Sequence, residues 1–198
     1  MTTSVEIGPH LRVFDYRAVE RLRAALDRLG AAYEVRTHEP ARHARHLAAL
    51  WGVALHEAGR ATLLQADDQA ILALVPADRK IGAPRLRALL GAQVLRVLRG
   101  DRGVGRVGWA DLPAPPGALP AVPEAYHARC YVDKLVLAIP RLVIALDVGR
   151  SMALSPQAFV QATGATVACF AGTTRLLPEG GMVTEPPSWA VEEVAGRE

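Results

Sequence analysis

Hydrophobic positions recur along the chain with two periods, which predict helices alternating with strands. Residues 15–29 carry apolar side chains at helical spacing, and this segment is predicted to be an amphipathic helix. A short strand is predicted over 33–37, followed by a second helix over 40–51. That helix begins at a proline, and Gly52 provides its stop.

Two apolar runs, 61–66 and 70–75, are separated by a polar Ala-Asp-Asp-Gln turn. Their composition predicts a half-buried β-hairpin. A permanently charged residue, Arg60, stands directly before the first run. Its place at the start of a strand makes it a candidate for a functional role, since a charged side chain is costly to bury.

Shorter elements follow, and their mixed order indicates an α/β or α+β fold rather than a bundle or a sandwich. The segment 100–123 is rich in Gly and Pro and is predicted to be a loop. The remaining predictions are a helix over 84–90, strands over 94–98, 129–132, 142–146 and 152–154, a short helical segment from Asp133, and a helix from Ser155 to Gln161.

The chain has 198 residues, of which 51% are hydrophobic, so it is long and apolar enough to bury a sizeable core. We expect one domain over 1–172 and an acidic, Pro/Gly-rich tail over 173–198.

No apolar run approaches the ~20 residues of a membrane span. No signal sequence is evident, and with two cysteines a disulfide framework is not expected. The expected location is the cytoplasm, without membrane association.

The formal net charge is +3, but the tail holds two arginines against five glutamates, so the remaining body carries +6. All but two of the 23 basic residues are arginine. Arginine favours bidentate contacts with phosphate, which allows a nucleic-acid partner. A GC-rich codon bias explains the same excess equally well.

Several short motifs lack the residues or the structural context that the suggested chemistry would need. The Gly-x-Gly-x-x-Gly pattern over 103–108 leads into a proline-rich segment, whereas a dinucleotide site needs a helix there. The histidines at 38, 43 and 46 lack the further ligands of a zinc site. Cys130 lies in an apolar strand and is expected to be a buried structural thiol. Neither a metal nor a cofactor is therefore expected.

Three longer stretches occur in a characteristic order: VPADRK over 75–80, GALPAVPEAYHARCYVD over 117–133, and VIALDVGRSMALSPQAF over 143–159. This arrangement resembles the YbaK/prolyl-tRNA-synthetase-associated editing domain over about residues 31–163. It is especially similar to a branch often fused to signalling domains. The resemblance implies a mixed sheet that curls toward a barrel and is flanked by helices.

The resemblance also implies a catalytic site. Family members hydrolyse the ester of a wrong amino acid on the 3′ end of tRNA, using backbone groups of a Gly-x-x-x-Pro loop. Gly117 matches the glycine of that loop, Pro120 falls one position early, and Ala121 occupies the usual proline position. Arg60 stands where active members usually carry lysine, so Arg60 and Gly117 are the predicted catalytic residues. A guanidinium lying along the sheet edge is the structural alternative for Arg60.

Further residues are predicted to bind substrate. Asp133 follows a strand and either caps the next helix or shapes the amino-acid pocket, while Leu63 contributes to the volume of that pocket. Gly149 matches a glycine after the late strand, where the backbone passes close to substrate, and Ser151 follows it. Some editing domains carry a histidine just beyond this glycine, and this sequence does not.

The expected function is therefore hydrolysis of a mischarged aminoacyl-tRNA, with the tRNA 3′ end as partner. The alternative is a domain that keeps the fold without the chemistry and binds tRNA, an amino-acid-like ligand or a protein. Both interpretations require Arg60 and Gly117 to line one cleft.

Overall fold

The predicted alternation of helices and strands is present in the part of the chain that the structure describes. That part is residues 15–98, 118–147 and 149–172 of a computed structural model. The α-helices are α1 (Arg17–Arg28), α2 (Ala44–Trp51), α3 (Ala83–Leu90) and α4 (Pro156–Thr163). The strands are β1 (Tyr33–Thr37), β2 (Gly59–Ala66), β3 (Gln69–Pro76), β4 (Lys80–Ile81), β5 (Leu95–Val97), β6 (Arg129–Asp133), β7 (Leu142–Ala145), β8 (Arg150–Leu154), β9 (Thr166–Ala168) and β10 (Ala171–Gly172).

Helix α1 forms as its apolar spacing predicts, with Leu22 and Leu26 buried on one side. The Asp15 carboxylate accepts the backbone N–H of Arg17 at 2.9 Å, which satisfies one of the free N–H groups of the first turn. Gly30, with φ +63°, follows the helix in the left-handed conformation that glycine adopts most easily.

Helix α2 begins later than the sequence predicts, at Ala44 instead of Pro40. The reason is a side-chain cap: His43 is the N-cap, and its Nδ1 accepts the backbone N–H of His46 at 3.0 Å. Gly52 ends the helix with φ +64°, as predicted.

The predicted hairpin is formed by β2 and β3, whose register runs without interruption from Gly59↔Pro76 to Ala66↔Gln69. Asp67 lies in the turn with φ +48°. Its carboxylate accepts the N–H groups of Gln93 and Val94, and this contact fixes the start of β5 against β2.

The strands form a mixed arrangement that the sequence pattern did not specify. A five-stranded sheet has the order β5-β2-β3-β6-β9, in which β3–β6 and β6–β9 are parallel and the other pairs antiparallel. A three-stranded sheet has the order β1-β8-β7, and β4 pairs with β10. Strands β4, β9 and β10 were missed in the sequence because they are two or three residues long.

The mixed sheet flanked by helices is confirmed, but the sheets do not close, so the expected barrel-like form is wrong. The two larger sheets meet at one isolated bridge, where Ala58 pairs in parallel with Val143. From Leu63 onward the same edge of β2 pairs with β5 and its following residue, so β7 cannot pair with that part of β2. The fold is a mixed α/β arrangement of separate sheets flanked by helices.

The five-stranded sheet has two buried faces, which we call the first face and the second face. The first face packs against α1, α4 and the apolar side of β7 and β8. The second face packs against α3 and Phe170. First-face residues include Ala61, Leu63, Leu72, Leu74, Cys130 and Val132, and second-face residues include Leu64, Ala66, Ile71, Ala73 and Val75. Among the described residues, no helix is both long and apolar enough to cross a membrane.

Candidate functional site

Arg60 lies at the start of β2 and projects from the second face. Its neighbour Gly59 faces the other way, since a Cβ built on Gly59 would lie 3.0–3.3 Å from side-chain atoms of Leu74, Leu142 and Ile144. Successive residues of a strand project from opposite faces. Arg60 therefore projects from the second face, as does its pairing partner Val75. A charged residue therefore stands at the end of an otherwise apolar surface.

The Arg60 guanidinium is half-buried and forms neither a hydrogen bond nor an ion pair with a described residue. Burial lowers the pKa of Arg60, and the nearby Asp78 carboxylate opposes that shift. The group nevertheless stays charged at neutral pH, as arginine does in proteins. Asp78 forms a long ion pair with Arg79 at 3.7 Å, while its Oδ1 is buried without a described partner. This combination leaves Arg60 available to an anionic ligand.

Asp133 lies at the same end of the second face as Arg60. It follows Val132, the partner of Leu74, and so stands beside Val75 on the side opposite Arg60. Neighbouring strands are ~4.8 Å apart, which places the backbones of Arg60 and Asp133 about 10 Å from each other. The structure thus places these two predicted site residues at the same end of one face, with Val75 between them.

The Asp133 carboxylate is fully used by backbone groups. Oδ1 accepts the N–H of Leu135 at 2.9 Å and caps the following short helix over Lys134–Ala138. Oδ2 accepts the N–H groups of Phe170 and Ala171, both at 2.6 Å. Asp133 is 2% exposed. The contact with Leu135 gives Asp133 the capping role, which was the first of its two predicted roles. The contacts with Phe170 and Ala171 were not predicted from the sequence.

Leu63 lies three residues after Arg60 on the same strand but projects from the first face. It is 2% exposed and packs in the main core with Leu72 and Val122. The structure therefore does not bring Leu63 and Arg60 together. The period-two alternation of the strand already carried this information in the sequence.

The predicted ester-binding loop is described from Ala118 onward, and Gly117 lies outside the described residues. Ala121 is fully buried, and its N–H donates to the carbonyl of Ala145 at 2.9 Å. The Pro120 carbonyl accepts the hydroxyl of Tyr126 at 3.1 Å, and burial raises the pKa of that hydroxyl. These two hydrogen bonds attach the segment to β7 and to Tyr126, although position 121 is not a proline.

The loop segment and the start of β2 lie beside the same edge of β7. Ala121 bonds to Ala145 on that edge, and Ala58 bridges Val143 two residues earlier. Val143 and Ala118 pack in one cluster against Trp51 of α2. The segment that follows Gly117 and the segment that precedes Arg60 are therefore neighbours in space.

Gly149 and Ser151 belong to the turn and strand that continue from β7. The Asp147 carboxylate accepts the N–H groups of Gly149 and Arg150 at 2.9 and 2.7 Å, which shapes the turn. The carbonyl of Gly149 accepts the N–H of His38 at 2.8 Å. Ser151 pairs with Ala145, so this turn lies across β7 from Ala121.

A histidine does stand beside this turn, although none follows Gly149 in the sequence. His38 Nε2 lies 2.8 Å from Oγ of Ser151, and His38 Nδ1 lies 2.7 Å from the carbonyl of Glu39. Since a carbonyl only accepts, Nδ1–H donates to Glu39, and in the neutral ring Nε2 accepts the Ser151 hydroxyl. The Trp51 indole donates to the same hydroxyl at 2.6 Å. This network was not predictable from the sequence, because Ser151 lies 113 residues from His38 and 100 residues from Trp51.

The remaining candidates do not form further sites among the described residues. No three His, Cys, Asp or Glu side chains in that part of the chain lie close enough to hold a metal ion. Cys130 is buried, and burial raises the pKa of its thiol to about 12, which is unsuitable for a nucleophile. The Gly-rich pattern over 103–108 and the tail over 173–198 lie outside the described residues.

Comparisons with known proteins identify the family of the chain. The model of the aminoacyl-tRNA editing domain matches residues 38–162, which is more than half of the chain. No curated protein sequence matches the chain.

Solved structures give the same fold. APE2540, a hypothetical protein, has a TM-score of 0.63 at 20% identity, with 76% of this chain and 99% of that one covered. A protein proposed to be a trans-editing enzyme for prolyl-tRNA synthetase has a TM-score of 0.59 at 21% identity, covering 77% and 96%. A Marinobacter aquaeolei VT8 protein proposed to act in signal transduction has a TM-score of 0.54 at 20% identity, covering 77% and 30%.

Proposed function

The chain belongs to the aminoacyl-tRNA editing domain family, and we propose that it is a deacylase of mischarged aminoacyl-tRNA in the cytoplasm. The observation that carries the proposal is Arg60. Its guanidinium is half-buried and lacks an acceptor among the described residues, and Ala58, two residues before it, bridges the same edge of β7 to which Ala121 bonds. A cation in such a place suits either the 3′-terminal phosphate or the negative charge that develops on an ester oxygen.

The reaction requires few side-chain functional groups. Water adds to the ester carbonyl, the bond between the carbonyl carbon and the ribose oxygen breaks, and the products are the amino acid and a free hydroxyl on the terminal ribose. Backbone groups of the loop and the Gly149 turn would orient the ester. The N–H of Ala121 is already bonded to Ala145, so residues on either side of it must supply those contacts.

A direct test follows release of amino acid from a panel of mischarged tRNAs. We expect at least one pair to be hydrolysed well above the buffer rate. Arg60→Ala should reduce kcat/KM about tenfold or more, which corresponds to ~1.4 kcal/mol of lost transition-state stabilisation. Arg60→Lys, which keeps the charge, should retain most of the activity.

The matched control is Arg96→Ala, which removes an exposed arginine from β5 at the other end of the sheet. It should leave kcat/KM unchanged. If Arg60→Ala behaves like the control, the guanidinium only lies along the sheet edge. If no mischarged tRNA is hydrolysed faster than in buffer, the deacylase assignment is wrong.

A second function, binding without turnover, is favoured by a specific observation. The polar groups of Asp133, Ser151 and Ala121 are all bonded within the protein, so these predicted site residues offer few free groups for catalysis. Calorimetry with uncharged tRNA and with free amino acids, each at several salt concentrations, distinguishes the two ligands. Binding through phosphates weakens steeply with salt, whereas binding of a small amino acid does not.

A further inference from the structure

Strand β1 is an outer strand of the three-stranded sheet, and among the described residues it pairs with β8 alone. Four of its five residues are exposed. The outer strands of the five-stranded sheet, β5 and β9, are only three residues long. Short outer strands limit pairing with other chains. In the part of the chain that the structure describes, β1 is therefore the longest strand with an open edge.

The pairing with β8 fixes which backbone groups of β1 face the open edge. The N–H of His38, directly after the strand, donates to the carbonyl of Gly149 at 2.8 Å and continues the β1–β8 register. Because hydrogen-bonded positions alternate along an antiparallel pair, Arg36 and Glu34 also bond to β8. The N–H and C=O groups of the intervening residues point away from the sheet and bond to no described residue. These residues are Tyr33, Val35 and Thr37.

The side chains make this edge complementary to itself. Antiparallel pairing with β1 of a second copy, centred on Val35, places Glu34 opposite the second copy's Arg36. These are non-hydrogen-bonded positions, where facing side chains come closest. Centring the pair on Glu34 would oppose two carboxylates, and centring it on Arg36 would oppose two guanidiniums, which is destabilising. Charge therefore favours the register in which all five residues pair.

The charges of β1 are already compensated within one chain. Glu34 accepts a hydrogen bond from Arg36 at 2.6 Å and also pairs with Arg141. The guanidinium carbon of Arg36 lies 4.1 Å from the centre of the Trp51 ring. Attraction at the edge therefore comes from the open backbone groups, whereas the charges exclude the registers that bring like charges together. Side chains that are held in this way also lower the entropic cost of association.

We propose that β1 is the docking edge for a second copy of this chain, with the two strands paired antiparallel about Val35. Each Val35 N–H donates to the carbonyl of the other, and Tyr33 and Thr37 exchange the same bonds across the pair. The two sheets become one six-stranded sheet with the order β7-β8-β1-β1-β8-β7. Because the same edge is used on both copies, the contact closes as a dimer and leaves neither β1 edge open.

The first test measures the mass of the full chain by analytical ultracentrifugation from about 1 μM to about 1 mM. We expect a dimer that dissociates on dilution. Val35→Pro should raise its Kd at least tenfold, because proline removes the central donor, and an outward N–H of an outer strand is not needed within the monomer. The matched control, Val35→Thr, keeps that N–H and should dimerise like the wild type. Circular dichroism should show that both variants are folded.

A charge exchange tests the register without altering the backbone. Glu34→Arg places like charges opposite each other twice in the dimer and should raise Kd about tenfold. Adding Arg36→Glu reverses both charges and should return Kd to near the wild-type value. The matched control is Glu20→Arg, which makes the same change of net charge at an exposed position on α1. It should leave Kd unchanged.

A disulfide reports the register directly. Facing Cα atoms of a hydrogen-bonded antiparallel pair lie about 5.5 Å apart, which a disulfide can span. In a Cys169→Ala background, which removes the exposed cysteine, Val35→Cys should crosslink two copies under mild oxidation. Thr37→Cys should not, because the two copies of this residue lie about 14 Å apart in the proposed register.

Three results would overturn the proposal. A wild-type chain that stays monomeric over the whole concentration range has no such docking edge. A dimer that is unaffected by both Val35→Pro and Glu34→Arg uses another surface. Equal crosslinking through Val35→Cys and Thr37→Cys, or assembly beyond a dimer, contradicts a closed pair centred on Val35.

Discussion

The two faces of the five-stranded sheet use the same strands for different purposes. On the first face, the side chains that β2, β3 and β6 contribute to the core are apolar and buried, and they pack with α1 and α4. On the second face, the apolar cluster gives way at one end to Arg60 and Asp133. The first face therefore mainly stabilises the fold, whereas one end of the second face combines a structural carboxylate, Asp133, with Arg60, the charged group available for recognition.

The largest effect should come from breaking the first face. Leu63→Ala removes a side chain that is 2% exposed and should lower the free energy of unfolding by about 3 kcal/mol, within the range of 2–5 usual for such changes. Urea denaturation measures it, with Leu89→Ala as the control because Leu89 is 48% exposed. Arg60→Ala, on the same strand but the opposite face, should change stability by less than about 0.5 kcal/mol. Similar losses of unfolding free energy for Leu63→Ala and Arg60→Ala would mean that the two faces do not differ in their contribution to stability.

A smaller loss is expected from the polar end of the second face. Asp133→Ala leaves three backbone N–H groups without their acceptor and should cost about 2–3 kcal/mol of unfolding free energy. Asp68→Ala, in the exposed hairpin turn, is the matched control. Hydrogen exchange should show faster exchange at Phe170 and Ala171 in Asp133→Ala. Unchanged protection there would mean that Asp133 does not hold the backbone of Phe170 and Ala171 in place.

The smallest expected effect is a pH dependence of the unfolding free energy, which arises from Cys130 on the first face. Burial raises the pKa of Cys130 from 9.0 to about 12 in the folded protein, so above pH 9 the unfolded chain releases this proton first. Stability contributed by the protonated thiol is therefore lost as pH rises from 9 toward 12, by up to ~1.4 kcal/mol per pH unit. Denaturation at pH 8 and 10 should show this decline in the wild type and in Cys169→Ala, whose cysteine is exposed. The decline should be reduced in Cys130→Ala, and an equal decline there would mean that Cys130 does not titrate in this way.

Much of the secondary structure follows from local pattern. The α1 segment shows apolar spacing with Gly30 as its stop, and the hairpin shows two apolar runs about a polar turn, so both were predictable. The start of α2 was not, because the His43 side chain rather than Pro40 sets it. The parallel pairing of β3 with β6 was not predictable either, since more than 50 residues separate the two strands in sequence.

The sequence by itself determined the order of elements, the family and the identity of Arg60 as an exceptional residue. Only the tertiary structure decided which predicted residues meet. It placed Asp133 and Arg60 at the same end of the second face, on either side of β3, and it brought His38 to Ser151. The reason is physical: periodicity fixes the face from which a side chain projects, whereas strand pairing across long separations fixes which side chains share that face.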